Sequence, residues 1–263
     1  MNLIEIVLLA IVTFIFAIDQ FSLTEVLYRP IIACPIIGLI LGDLKTGLVV
    51  GGTYELMMVG NMPVGGAQPP NPVLGGVVAM VFAVKSSMGI EAALGASMIF
   101  ATFGQYVVTL TFTIMSGLMA KADEAAANAD PAGITKVLNT SMLILGSLFA
   151  VLSVMAYVGG VALTPALQAL QTKAEWFIGG LGVAGGMMRF VGFAILLKIM
   201  MSNDMWGYLL AGFTAALVLG NIPATSGATL VLVAFVGVAI ALVDFRLNEI
   251  ALKQSEGGFE DGI

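Results

Sequence analysis

Residues 141–170, SMLILGSLFAVLSVMAYVGGVALTPALQAL, contain no Asp, Glu, Lys or Arg. A helix needs about 20 apolar residues to cross the hydrocarbon core of a bilayer, so this stretch alone places the chain among membrane proteins. Two further runs, 91–119 and 176–201, are also long, the first opening on Glu91 and the second with Arg189 and Lys198 inside it. Other apolar runs are shorter: 3–18, which stops at Asp19, then 31–42, 47–60, 73–84, 205–220 and 226–243. Runs of about 10–14 residues mark re-entrant or broken segments. GDLKTG (42–47) reads as a short interhelical connection, and NIPATSG as the turn joining the last two runs. Only 10% of the residues are charged, against about 25% in soluble domains, so the chain cannot coat a water-facing surface. The expected fold is all-α: a polytopic membrane protein with several full transmembrane helices plus short broken or re-entrant helical segments.

Two absences bound the chemistry. Histidine is missing and Cys34 is the single cysteine. No disulfide can form within the chain, and a Cys/His metal site is excluded. A phosphorylated relay needs a histidine or a water-accessible thiolate, whereas Cys34, in RPIIACPIIGL, reads as a packed apolar residue. Phosphoryl or redox chemistry therefore falls to a partner, and no catalytic residue, metal or cofactor is expected of this chain. The 16 methionines are spread along the sequence and read as packing. A net charge of −6, partly from the tail SEGGFEDGI, argues against nucleic acid as a partner. The start, MNLIEIVLLAIVTFIFAIDQ, has no Lys or Arg ahead of its apolar run and is expected to stay as a first membrane segment.

The most soluble stretch, AKADEAAANADPAGITKVLN (120–139), reads as a surface loop with a short helix. It divides the chain into a half dense in short segments and a half of longer ones. Each half holds a Gly-rich break, at 51–76 and at GGLGVAGGMMRF (179–190). Paired broken segments point to a transporter binding site, although the halves share no internal repeat. Residues 1–245 read as the membrane unit and 246–263 as a polar tail. Lys198, Arg246 and Lys253 favour a cytoplasmic C-terminus, but Lys and Arg are too evenly spread to set the orientation.

The segment GGTYELMMVGNMPVGGAQPPNPVLGG (51–76) combines three Gly-Gly pairs, four prolines, Glu55 and the amides Asn61, Gln68 and Asn71. Pro63, Pro69, Pro70 and Pro72 remove backbone donors, and glycines allow tight reversals. A helix should end near Gly60 and another begin near Val73. Irregular backbone at membrane depth survives only inside protein or beside a water-filled cavity, so its freed dipoles are available to a polar ligand. Glu55 reads either as an acceptor for ligand hydroxyls or as an ion pair with Arg29 or Lys45. Asp19, in IDQFSLTE, reads equally as a ligand contact or as an N-cap for a following helix. The three amides offer donors and acceptors without net charge, which suits a neutral polyhydroxylated solute. An ion path needs rings of one charge sign or repeated carbonyl filters, and the sequence has neither.

The motifs RP (29–30), LGDLKTG (41–47), GGTYEL (51–56) and GGAQPPN (65–71), with NAD-x-x-GI (128–134), GLGVAGGMM (180–188) and GFAILLKIMM (192–201), carry a family resemblance. Over nearly the whole chain, the sequence resembles the IIC membrane component of the mannose–fructose–sorbose family of bacterial sugar phosphotransferase systems. GGAQPPN and the ending FEDGI look most like its N-acetylgalactosamine branch. The resemblance implies a multi-pass protein of the bacterial cytoplasmic (inner) membrane. It would bind and carry N-acetylgalactosamine, or a related hexosamine or hexose, without being an enzyme itself. The implied partners are an obligate IID membrane subunit and the cytoplasmic phosphocarriers IIA and IIB, which use histidine and phosphorylate the arriving sugar. The implied assembly is a trimer of IIC–IID pairs working as an elevator. The implied sugar contacts are Glu55, Asn61, Gln68 and Asn71, with Asp19. Mannose-type chains tend to place an acid where this one has Asn71. Two other readings stay open: a cation-coupled secondary sugar transporter with Asp19 and Glu55 as ion sites, and a non-transporting scaffold on which phosphocarriers dock.

Overall fold

A computed structural model of the chain describes residues 2–61 and 69–257. The described residues form α-helices joined by turns, with no strand among them. The helices are α1 (Leu3–Ser22), α2 (Pro30–Leu41), α3 (Leu44–Met58), α4 (Pro72–Val84), α5 (Ile90–Ala127), α6 (Pro131–Lys173), α7 (Glu175–Met200), α8 (Trp206–Gly220) and α9 (Thr229–Gly257). A short 3-10 turn, Asn203–Met205, precedes α8. Within α1, α5, α6, α7 and α9 lie five spans long and apolar enough to cross a membrane, while α2 and α4 are short apolar helices. The chain divides into two compact units, Met1–Ile199 and Met200–Ile263. In the second, α8 and α9 pair around a mostly apolar groove whose lining includes Tyr208, Gly212, Leu232 and Gly237. The boundary expected at 245/246 falls inside α9.

Helix α4 is the centre of the first unit. Residues Pro72 through Phe82 are all buried, and α2, α3, α5 and α6 pack around them. Helices α1 and α6 run antiparallel. Buried Thr13 and Ser153 bond through their hydroxyls at 2.7 Å, and the Tyr157 hydroxyl donates to Glu5 at 2.5 Å. Lys85, the C-cap of α4, completes that end with an ion pair to Glu5 at 2.8 Å. The α2–α3 hairpin closes where GDLKTG was expected to connect two helices. Gly42 takes the left-handed φ of 86° that ends α2, and Asp43 caps α3 by accepting from the Thr46 N–H at 3.0 Å. Close contact of the two helices needs glycine, since a Cβ on Gly47 would stand 2.8 Å from the Cys34 carbonyl oxygen. Cys34 itself is buried.

Two expectations are corrected. Residues 120–139 are not a loop with a short helix. Instead α5 continues through KADEAAA to Ala127, and α6 starts at Pro131. Alanine, lysine and glutamate are strong helix formers, and Pro131 occupies the first helical position, where proline is favoured. Asp130 caps the new helix by accepting from the Ala132 N–H at 3.0 Å. At 38 and 43 residues, and about 1.5 Å rise per residue, both helices outrun a hydrocarbon layer about 30 Å thick. The Gly-rich stretch 179–190 is not a break either, because α7 passes through it as helix. Its glycines serve close approach: a Cβ on Gly185 would collide with the Glu91 carbonyl and the Gly95 N–H of α5. Small residues at such crossings let helix backbones meet in a membrane, where lipid tails offer no hydrophobic drive to association.

Candidate functional site

The chain brings four helix ends to one end of the first unit: the C-termini of α1 and α3 and the N-termini of α2 and α4. The cause is local. Each of α2 and α3 is too short to return elsewhere, and the breakers between Met58 and Pro72 stop α3 and restart the chain at α4, close to the positions expected.

At the end of α1, Asp19 is fully buried. Its Oδ1 accepts from the Thr24 N–H at 2.8 Å and the Thr24 hydroxyl at 2.6 Å. Its Oδ2 accepts from the N–H groups of Val26, Leu27 and Tyr28 at 3.0, 2.6 and 3.2 Å. Asp19 is not the N-cap expected for the following helix, since it lies inside α1 and Arg29 holds the N-cap position of α2 without a side-chain bond; its carboxylate instead organises the turn between the two helices. That turn includes Glu25 at a left-handed φ of 56°, a strained conformation for a side-chain-bearing residue that the Asp19 bonds hold closed.

The turn delivers Arg29 to Glu55. The guanidinium Nε donates to Glu55 Oε1 at 2.8 Å, and an Arg29 terminal nitrogen pairs with the same oxygen. The Ile31 N–H reaches Glu55 Oε2 at 3.3 Å. The ion-pair reading of Glu55 therefore holds in this state, with Arg29 rather than Lys45 as partner. A carboxylate has about four lone-pair directions, so Oε2 keeps capacity for a further donor. Arg29 is half-exposed while Glu55 is mostly covered.

Asn61 follows Gly60, whose φ of 83° turns the chain out of α3. Its N–H donates to the Met58 carbonyl at 3.0 Å, and its side chain makes only a weak contact with Met58 Sδ at 3.6 Å. The Asn61 amide is therefore the least committed of the expected contacts. Gln68 lies outside the described residues. Asn71 is buried and caps α4, accepting from the Leu74 N–H at 3.1 Å, while its own N–H donates to the Ala101 carbonyl of α5 at 2.8 Å. Its side-chain NH2 donates to Gln20 Oε1 at 2.9 Å.

Two residues escaped sequence reasoning. Gln20 carried a signal, its place beside Asp19 in IDQFSLTE, but only the fold joins it to Asn71. Tyr54 is buried against α4 with its hydroxyl pressed on Gly75 and no hydrogen-bond partner among the described residues. Helix α7 closes the far side of α3. A Cβ on Gly192 would stand 2.7 Å from the Leu56 carbonyl oxygen, and Gly60 faces Leu196. Together these helix ends offer amides, a paired carboxylate and a guanidinium. Such a set binds hydroxyls and carbonyls by hydrogen bonds and has no nucleophile poised for covalent chemistry.

The family model for the sorbose-specific IIC component of phosphotransferase systems matches residues 3–243. The N-acetylgalactosamine permease IIC component 1 of Escherichia coli K12 is 34% identical over 97% of this chain and 96% of its own length. The sorbose-specific IIC component of Klebsiella pneumoniae is 33% identical, covering 84% of this chain and 80% of its own. The mannose-specific IIC component of Escherichia coli K12 is 27% identical over 88% and 82%. A solved structure described as a membrane protein superposes with a TM-score of 0.82 at 26% identity, covering 94% of this chain and 96% of its own. A chain from a cryo-EM structure of the mannose transporter ManYZ with microcin E492 gives 0.59 at 26% identity, with the same coverage. The all-α polytopic membrane fold, the matching family model and these relatives lead to one conclusion: the chain belongs to the sorbose–mannose family of phosphotransferase IIC components, the membrane-embedded sugar-permease subunits of these systems.

Proposed function

We propose that the chain binds N-acetylgalactosamine, or a closely related hexosamine or hexose, and carries it inward while a cytoplasmic IIB partner phosphorylates it. Its membrane partner is a IID subunit, and the working assembly is a trimer of IIC–IID pairs in which a sugar-carrying part moves against a scaffold. The membrane unit is residues 1–245 and the tail is 246–263. The sugar site comprises Glu55 and Asn61, with Gln68 joined to them on its motif alone, and Asn71 borders it as the cap of α4 bonded to Gln20. Asp19 shapes the site through the 23–29 turn. One observation carries this reading: the end of α3 and the start of α4 gather a carboxylate, Glu55, and the amides Asn61 and Asn71, with Gln20 of α1 bonded to the last. A related permease for N-acetylgalactosamine supports the choice of sugar, and the likeness to a chain of the ManYZ transporter supports a second membrane subunit.

The absence of histidine fits a subunit that leaves phosphoryl transfer to others. Cation coupling would need a carboxylate free to take an ion or a proton, and both candidates are engaged: Asp19 meets five donors, and Glu55 is paired with Arg29. The product decides between these readings. Cells expressing the chain with its partners should accumulate labelled N-acetylgalactosamine phosphate. Free sugar that leaks away when the ion gradient collapses would establish the cation-coupled mechanism instead.

A further inference from the structure

We propose that Gln20 donates a hydrogen bond from its side-chain amide to an acceptor oxygen of the transported sugar, and that Asn71 sets which end of that amide faces the sugar. The proposal rests on the sugar site described above. It begins with Asn71, which is buried and has no freedom to turn. Its Oδ1 is committed to the Leu74 N–H at 3.1 Å, and its backbone N–H to the Ala101 carbonyl at 2.8 Å. With the oxygen capping α4, the NH2 must point away from that helix, where it donates to Gln20 Oε1 at 2.9 Å. Gln20 therefore holds its carbonyl toward Asn71 and turns its own NH2 outward. That NH2 has no partner among the described residues, and Gln20 is only partly buried.

The backbone beneath Gln20 is equally fixed, because the five donors on the neighbouring Asp19 tie the end of α1 to the turn that follows. A long amide side chain normally loses rotamer freedom when it grips a ligand, and here the Asn71 bond has already removed it. An outward NH2 offers donors only. Sugar hydroxyls can accept from it, and an acetamido carbonyl, which only accepts, is its best match. The ammonium group of a free hexosamine only donates and is a mismatch. Gln20 thus favours the N-acetylated sugar over the free amine. Asn71 is a positioning residue that acts through Gln20. Aspartate at this position would keep the helix cap but present an acceptor to Gln20, forcing its amide to reverse and turn its carbonyl outward.

The test is calorimetric binding of N-acetylgalactosamine to the chain purified with its membrane partner, for wild type and variants with unchanged melting temperature. Removing one directed hydrogen bond should weaken affinity about tenfold. Gln20→Met and Asn71→Asp should each do so, and the double variant should bind no worse than Gln20→Met alone, because both remove the same donor. Gln20→Glu keeps the acceptor for Asn71 and removes both outward donors, so it should show the same loss even if Gln20→Met fails to fold. Wild-type affinity in the Gln20 variants, with binding lost in Glu55→Gln, overturns this inference and leaves the site reading intact. Fully additive losses from Gln20→Met and Asn71→Asp overturn the positioning role. Weakened Gln20 variants beside a Glu55→Gln variant of full affinity support the inference and remove Glu55 from the site.

Discussion

Asp19 is the residue whose surroundings say most about its task. Five donors converge on a carboxylate with no exposure, and replacing it orphans them all. The donors belong to a turn that is partly exposed, at Thr24 and Val26, where water can meet some of them, and an unpaired buried group costs about 1–3 kcal/mol, so Asp19→Ala should lose about 1–3 kcal/mol of stability. Asp19→Asn, which keeps one acceptor, should fall between. Thermal melting in detergent measures this, and an Asp19→Ala protein that melts like wild type yet fails to transport would return Asp19 to direct ligand contact. Tyr54 is the opposite case, a buried hydroxyl that bonds nothing among the described residues. Tyr54→Phe removes an unsatisfied group, so its melting temperature should equal or exceed that of wild type. A clear drop would reveal a partner for the hydroxyl in the folded protein. At this scale the sequence marked which residues are out of place in an apolar chain. It could not name their partners, because Arg29 meets Glu55 and Gln20 meets Asn71 only once short helices fold back, over separations of 26 and 51 residues.

Helices make the second scale, and glycine is where expectation and outcome diverged. GGLGVAGGMMRF looked like a break because glycine is a poor helix former, about 1 kcal/mol worse than alanine. The fold spends those glycines unevenly along α7. Gly185 lies against the backbone of Glu91 and Gly95, and Gly192 against the end of α3, whereas a Cβ on Gly179 or Gly182 meets nothing within 4 Å. Gly185→Ala should therefore force α7 away from α5 and cost about 1–3 kcal/mol. Gly182→Ala should be neutral or stabilise by up to about 1 kcal/mol through helix propensity. Parallel melting curves for the two variants check this, and equal effects would contradict the close crossing of α5 and α7. The end of α3 at Met58 and the start of α4 at Pro72 were legible because glycine and proline act on their own backbone. The helicity of 179–190 was not, because it depends on a neighbouring helix invisible in local sequence. For α5 and α6 the signal was local, since the alanine-rich turns favour helix and Asp130 and Pro131 start a new one, but their charge made them read as a loop.

For the whole molecule, composition and the lengths of the apolar runs led to a polytopic helical membrane protein, and the lack of histidine led to the expectation that a partner performs any phosphoryl transfer. The proposed sugar rests on motifs and relatives, since many neutral solutes suit a set of amides. The account's central claim is that Glu55 near the end of α3, together with the amides that follow it, holds a neutral sugar. The most direct measurement is uptake of labelled N-acetylgalactosamine by cells that lack the system and express this chain with its partners, at matched protein levels. The account predicts that Glu55→Ala and Gln68→Ala each reduce uptake at least about tenfold, the worth of one directed hydrogen bond in a polar site. Uptake at the wild-type rate in both variants would contradict it.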